Sequence, residues 1–197
     1  MARTGRPRAF DESQALERAL MLFWSRGYGA TSVQDLVEAL SLERGSLYGA
    51  FGDKRSFYLA AVRLYWDTYE RRLTAALQEG PVLPALREVL VTPARAPEDT
   101  PDAPHGCMIG NTTAELVPQD DEAREVVARA HARFIEIVAG ALRRAQAEGE
   151  VTTAATPEAQ AQLLLFTVQG LSLVSRAGID QAAALAAADA LIGALRA

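Results

Sequence analysis

Apolar positions recur at three- and four-residue intervals along almost the whole chain, the period of helices that bury one face. Leu16, Ala19, Leu20 and Phe23 form the first stripe, with Asp11 placed as its cap and Gln14 three residues on in a capping-box-like arrangement. Gly27 and Gly29 end that helix near residue 26. Thr31 or Ser32 caps the next, whose inner face is Val33, Leu36, Val37 and Leu40. A turn at Ser41-Leu42 leads to a third short helix, 43–50, with Leu47 and Phe51 inward. Asp53 caps a long fourth helix, 54–78, carrying Phe57, Val62, Tyr65, Trp66, Tyr69 and Leu73, and Gly80-Pro81 stops it.

The pattern continues through 82–91 and then breaks. Residues 92–104 hold Pro93, Pro97, Pro101 and Pro104 with three acids and read as a loop. A short helix is predicted over 106–116, broken by Pro118. A long one opens at Asp120 and runs to 148, where Gly149 ends it. Thr156-Pro157-Glu158 starts a helix to 176, with Thr as cap and Pro at the first helical position. Gly178 separates it from an Ala-rich helix, 180–196. No repeat and no convincing strand is visible. The expected fold is all-α: a three-helix head, residues 1–52, and a six-helix body, residues 53–197.

Composition supports this and adds a charge asymmetry. The chain has 197 residues, 49% of them hydrophobic, enough to bury a core. Its net charge of −5 is unevenly spread: residues 1–60 carry eight Lys and Arg against seven Asp and Glu, and residues 61–197 carry twelve against eighteen. Arg3, Arg6 and Arg8 concentrate basic charge at the N-terminus, where Arg6 and Arg8 either enter a minor groove as an arm or belong to a disordered tail. A basic tip on an acidic body is compatible with local phosphate contact and weak non-specific binding.

Enzyme chemistry finds little purchase. The chain has His105, His131 and one cysteine, Cys107, so an internal disulfide is excluded and a nucleophile–base pair would have to join Cys107 to one of those histidines. There is no paired acid cluster, Gly-rich phosphate loop or metal signature, and no cofactor is expected. The most apolar stretch, Leu163 to Val174, is interrupted by Thr167, Gln169, Gly170 and Ser172 and is too short and polar to cross a bilayer. No secretory apolar segment is evident, so a cytoplasmic protein with no membrane partner is expected.

Residues Thr31 to Lys54 have the shape of a helix-turn-helix unit that reads DNA. Within them, Gly45-Ser46-Leu47-Tyr48-x-x-Phe51-x-x-Lys54 resembles the TetR family of bacterial transcriptional repressors, and Phe23, Gly27, Tyr28, Thr31-Ser32, Ala39 and Leu42 also fall on that family's pattern. Two positions depart from it: Ser41 stands where the turn usually has Gly, and Glu43 where a Ser or Thr cap is usual, with a capping role the natural one for it. The resemblance implies an all-helical homodimer whose three N-terminal helices bind a double-stranded DNA operator and whose body binds a small-molecule effector that releases it.

Arg44 offers a five-donor fork suited to guanine O6 and N7. Gly45 lets the backbone approach DNA or tolerates a crowded helix crossing, and Ser46 can bond a base edge or a phosphate. Tyr48 and Lys54 match family positions that contact phosphates, while Thr31 and Ser32 either cap the second helix or donate to a phosphate. Reading two half-sites about 34–36 Å apart requires a dimer. Two stripes offer the interface: Leu163, Phe166, Thr167, Gly170, Leu171 and Val174, and then Leu185, Ala188, Ile192 and Leu195.

Release is expected to involve the body. Cys107 sits at a helix start, where the positive helix end favours a thiolate. It resembles Gly-Cys segments of TetR-like regulators similar to the N-ethylmaleimide reductase repressor, which implies an electrophile or oxidant sensor. A small buried hydrophobe and, with His105 and Met108, a Cu(I)-compatible site remain open alternatives. Trp66, Tyr69, Met108, Asn111, Phe134, Ile137 and Val138 fall on helices that surround the family's ligand cavity, with plain core as the alternative for each, and Asn111, Thr112 and Gln169 are polar groups that can orient a ligand. The acidic body gives weak encouragement to a cationic ligand.

Overall fold

A computed structural model describes residues 10–78, 80–94, 106–178 and 180–197. Among these the chain forms nine α-helices: α1 (Glu12–Arg26), α2 (Val33–Leu40), α3 (Arg44–Phe51), α4 (Lys54–Gln78), α5 (Val82–Val91), α6 (Met108–Glu115), α7 (Asp121–Ala147), α8 (Pro157–Arg176) and α9 (Gln181–Leu195). The all-α expectation holds. The β-type pairing among the described residues is one isolated bridge, Val151 to Arg196, which ties the C-terminus to the α7–α8 loop.

Helix starts follow local chemistry. Asp11 accepts from the Ser13 and Gln14 amides at 2.9 and 3.2 Å. Ser32 and Asp35 make a reciprocal capping box on α2. Asp53, Asp120 and Thr156 accept from the Ser56, Ala123 and Ala159 amides. Helix α5 starts at Pro81 without a local side-chain cap; the distant Glu150 carboxylate instead accepts from the Val82 and Leu83 amides at 3.0 and 2.9 Å. Glu43 precedes α3 but its side chain makes no cap hydrogen bond, correcting the capping role expected of it.

The turn between α2 and α3 is made by Ser41 in the left-handed region, φ 56°, and it is the one non-glycine residue with positive φ among those described. Glycine adopts that conformation without the Cβ clash, which costs other residues about 1–2 kcal/mol.

Two apolar cores result. The lower one joins Phe23 of α1, Leu36 of α2 and Leu47 of α3 to Phe57 and Tyr58 of α4, Met108 and Ile109 of α6, and Val126 and Ala130 of α7. Aromatic edges knit it: Phe23 and Tyr28 each lie 5.0 Å from Tyr58, ring centre to ring centre, and Phe51 stacks on Phe57 at 4.0 Å. The head therefore packs its inner face into the body. The upper core joins α5, the C-terminal half of α7, α8 and α9.

One apolar stripe proposed for pairing lies elsewhere. Ala188, Ile192 and Leu195 are buried in this chain's own upper core, and Leu185 packs against it. The outward face of α9 is instead Ala182, Ala183, Ala186 and Ala190. On α8, Leu171 turns inward while Leu163, Phe166 and Val174 stay exposed, joined by Leu173.

An ionic clamp ties α4 to the start of α7. Arg55 grips the Asp120 carboxylate through Nε at 2.5 Å and Nη2 at 2.7 Å, and Glu122 pairs with both Arg55 and Arg63 at 3.0 and 2.6 Å. The guanidinium holds Asp120 down to about 2.

Candidate nucleic-acid interface and body cavity

Helix α3 buries one side chain, Leu47, and leaves Arg44, Gly45, Ser46, Tyr48 and Gly49 in the open. A Cβ built on Gly45 or Gly49 meets nothing within 4 Å among the described residues. Intrachain crowding therefore does not require glycine at either position, which disposes of the crowded-crossing reading of Gly45. The face is short, polar and unobstructed, the shape that enters a major groove.

The flanking residues divide. Ser32 is exposed at the α2 N-terminus, though its hydroxyl is engaged with Asp35. Thr31 is fully buried and its hydroxyl donates to the Gly27 carbonyl at 2.7 Å. This corrects both roles expected of Thr31: it neither caps α2 nor reaches a phosphate, because the α1–α2 loop consumes its one donor. Lys54, half-buried, places its ammonium 4.2 Å over the Tyr28 ring. Burial raises the Tyr28 hydroxyl above its ordinary value, so it stays protonated. Arg3, Arg6, Arg8 and His105 lie outside the described residues.

The body contains a cavity of about 930 Å³ between α1, α4, α5, α7 and α8. Of the expected effector residues, Cys107, Trp66, Tyr69, Phe134 and Gln169 line it. Met108 is fully buried in the lower core, and Asn111, also buried, has its Nδ2 without a hydrogen-bond partner among the described residues; neither lines the cavity. Their helix faces away from the cavity after its first turn. Sequence reasoning missed Trp24, because α1 read as part of the head alone, and Tyr65, which read as core. His131, considered only as a base for Cys107, also lines the wall.

Cys107 directly precedes α6. Tyr65 donates its hydroxyl to Sγ at 3.7 Å and Gln169 its amide at 3.6 Å. Burial, with Cys107 adding to it, pushes the Tyr65 hydroxyl well up, and burial does the same for Tyr69. Trp24 Nε1 donates to the Gly106 carbonyl at 3.1 Å. Gly106 itself needs to be glycine: its φ is +71° and a Cβ would stand 2.8 Å from the Ser172 carbonyl oxygen on α8. Among the described residues no three His, Cys, Asp or Glu side chains gather as a metal site.

From this start α6 crosses to the head. Thr112 shares a hydrogen bond of 3.0 Å with the Tyr58 hydroxyl in the lower core. At the far end Glu115 accepts from the Gly29 amide at 2.9 Å, in the loop between α1 and α2, and lies so close to Gly27 that a Cβ there would meet its carboxylate at 2.9 Å. One eight-residue helix thus touches the cavity wall at one end and the head at the other.

An open reading helix on a head that is wired into a cavity-bearing helical body defines a helix-turn-helix transcription regulator. Comparison with known proteins agrees. The family of bacterial regulatory proteins, tetR family, matches residues 15–61, and the tetracyclin repressor-like C-terminal domain matches residues 82–191. The chain is 32% identical over 176 residues to the HTH-type transcriptional repressor ComR of Escherichia coli (strain K12), spanning 88% of this chain and 83% of that protein. It superposes with a TM-score of 0.80, at 27% identity and over 97% of this chain and 100% of that one, on a cysteine mutant of the TetR family regulator CifR complexed with 26-bp operator DNA. The reduced form of Escherichia coli NemR shares the fold, with a TM-score of 0.81 at 21% identity over 94% of this chain and 97% of that one. The chain belongs to the TetR family of bacterial transcriptional regulators. No helix among its described residues is long and apolar enough to cross a membrane.

Proposed function

We propose that the protein is a cytoplasmic, non-catalytic repressor that binds a near-palindromic operator as a homodimer and lets go when a small effector fills the cavity or Cys107 is modified. The observation that carries this reading is α6, which contacts the cavity through Cys107 and the head through Glu115. An effector that favours one position of α6 shifts the population of head positions; equal affinity for both positions would shift nothing.

The α3 face supplies recognition: Arg44 and Ser46 read base edges, Tyr48 and Lys54 hold phosphates, Ser32 adds a surface hydroxyl, and Gly45 permits close approach. The functional division falls after residue 52, with a core shared across it. Pairing uses the exposed apolar face of α8, where Phe166 is 64% and Leu173 68% exposed, beside the alanine face of α9. Small residues let two such helix pairs approach closely. Likeness to an operator-bound regulator supports the DNA reading. Tyr65 and Gln169 on the sulfur favour thiol modification over the metal-sensing alternative.

Gel-shift titration against the DNA upstream of the protein's own gene tests this. Saturable, two-copy binding is expected, with Leu173→Glu giving monomers by light scattering and weaker binding. Cys107→Ser is expected to bind operator like wild type and to resist release by N-ethylmaleimide. Wild-type release by N-ethylmaleimide in Cys107→Ser would make the thiol structural.

A further inference from the structure

One wall of the cavity belongs to the head. Leu20, Met21 and Trp24 of α1 line it beside Tyr65, Trp66 and Tyr69 of α4. The adjoining face of the same helix, Ala15, Ala19 and Phe23, is buried in the lower core. Helix α1 therefore presents one flank to the body's cavity and another to the packing that holds the head together.

Helix α1 is also tied to α2 at both ends of α2. The Arg18 guanidinium donates to the Ala39 carbonyl in the last turn of α2, and Arg26 meets Asp35 in the first turn at 3.5 Å. Between these ties Ala19 and Phe23 share a core with Leu36 and Leu40. Only residues 41–43 then separate α2 from α3. The route from the cavity to the reading helix through α1 is one packed helix pair and one short turn, whereas α6 reaches the head at the α1–α2 loop.

Trp24 is where the cavity holds α1. Its Nε1 donates to the Gly106 carbonyl at 3.1 Å, and its ring meets Tyr65 edge to face at 4.8 Å. The segment that carries this carbonyl has no slack on its other side. A Cβ on Gly106 would stand 2.8 Å from the Ser172 carbonyl oxygen, and one on Gly110 would stand 2.6 Å from Gln169 Oε1, both on α8. Cys107 lies between these two glycines, with its sulfur between Gln169 and Tyr65. A substituent on that sulfur finds the α8 side closed and extends toward Tyr65 and Trp24.

We infer that α1 is the lever through which the body controls the head, and that Trp24 is the positioning residue that couples them. Filling the cavity or modifying Cys107 displaces the Tyr65–Trp24 pair, breaks the Trp24 hold on the Gly106 carbonyl, and moves α1 together with α2 and α3. This rests on the effector reading of the cavity and of Cys107 and names its route; the Glu115 contact of α6 steadies the loop that follows α1.

N-ethylmaleimide is the probe that tests it. The Cys107 sulfur adds across the maleimide double bond, the thiol proton passes to the adjacent carbon and nothing leaves; the chain has one cysteine, so no other thiol competes. Amide hydrogen exchange of the full chain, read by mass spectrometry before and after alkylation and without DNA, should become severalfold faster in α1 and in residues 37–42. The same treatment of Cys107→Ser should change nothing. Trp24→Phe keeps a ring beside Tyr65 and removes the Nε1 donor. In this variant alkylation should loosen α1 less, and the ratio of operator Kd after alkylation to operator Kd before it should fall severalfold toward one. A general loss of packing acts on both states and cancels from that ratio. No uptake of the reagent, full uptake with α1 unchanged, a change confined to α6 and residues 27–31, or an undiminished ratio in Trp24→Phe would overturn the inference. Exchange needs no operator, so the two readings fail separately: a wild type that loosens α1 and residues 37–42 on alkylation but binds no operator would remove the repressor reading and leave the α1 lever standing.

Discussion

The reading helix and the cavity are built in opposite ways. Helix α3 is eight consecutive residues with one fully buried side chain, held down by Leu47 and by Phe51 stacked on Phe57, and its outward face stands clear of the other described residues. The cavity draws on α1, α4, α5, α7, α8, the start of α6 with the segment before it, and the first residue of α9. A local site changes by substitution without disturbing its neighbours. A distributed site feels any shift in the packing of its walls, which suits a sensor. Helix α6 runs from the cavity wall to the α1–α2 loop, one loop away from the helix pair that carries α3.

The sharpest way to break the contrast is to attack the core that both sites share. Phe23→Ala removes a fully buried ring that touches Phe57 and Tyr58 and should cost about 3–5 kcal/mol. Because head and body share that core, thermal unfolding should remain a single transition, moved down by many degrees. Two separated transitions would show instead that the head folds alone.

Next, Arg44→Ala should cost about 1–3 kcal/mol of operator affinity and relax sequence preference, with body stability and the alkylation rate of Cys107 unchanged. Lys54→Ala should weaken binding to all sequences and lower the salt slope by about one, measured by titration at several salt concentrations. A changed alkylation rate in Arg44→Ala would mean that α3 is less independent than its exposure indicates.

Glu115→Gln tests the joint. It keeps an acceptor for the Gly29 amide but removes the charge, so a loss of about 1 kcal/mol in coupling is expected. Operator affinity before alkylation and the alkylation rate of Cys107 without DNA should each change little. Their mutual effect, read by repeating each measurement with the thiol alkylated or the operator bound, should shrink severalfold. Full coupling in this variant would place the connection elsewhere.

The smallest effect belongs to the α4–α7 clamp. Asp120 is held at about 2 when folded, below its ordinary carboxylate value, so its contribution is complete above that ordinary value and is lost as pH falls through about 2. Asp120→Asn keeps an N-cap but loses the charge. The gap in urea midpoint between wild type and this variant should be constant near neutrality, narrow below about pH 4 and close near 2. A gap that persists at acid pH would trace the clamp to shape rather than charge.

What the chain determined by itself is what neighbours in sequence decide. Helical period, capping residues and proline or glycine stops act over three to five positions. Asp11, Ser32, Asp53, Asp120 and Thr156 therefore cap the helices they precede, and the spacing of Leu47 against Arg44, Ser46 and Tyr48 gives α3 its two faces. Tertiary structure decided which apolar or polar group meets which. Thr31 looked like a surface hydroxyl until the α1–α2 loop folded back on it. Met108 and Asn111 turned into the core while Cys107, one residue earlier, met the cavity, and the stripe Ala188, Ile192 and Leu195 was taken up by α5 and α8 of the same chain. Trp24 and His131 became partners in one wall although 107 positions part them. A helical period says that a face exists; the crossing of one helix on another says what that face touches.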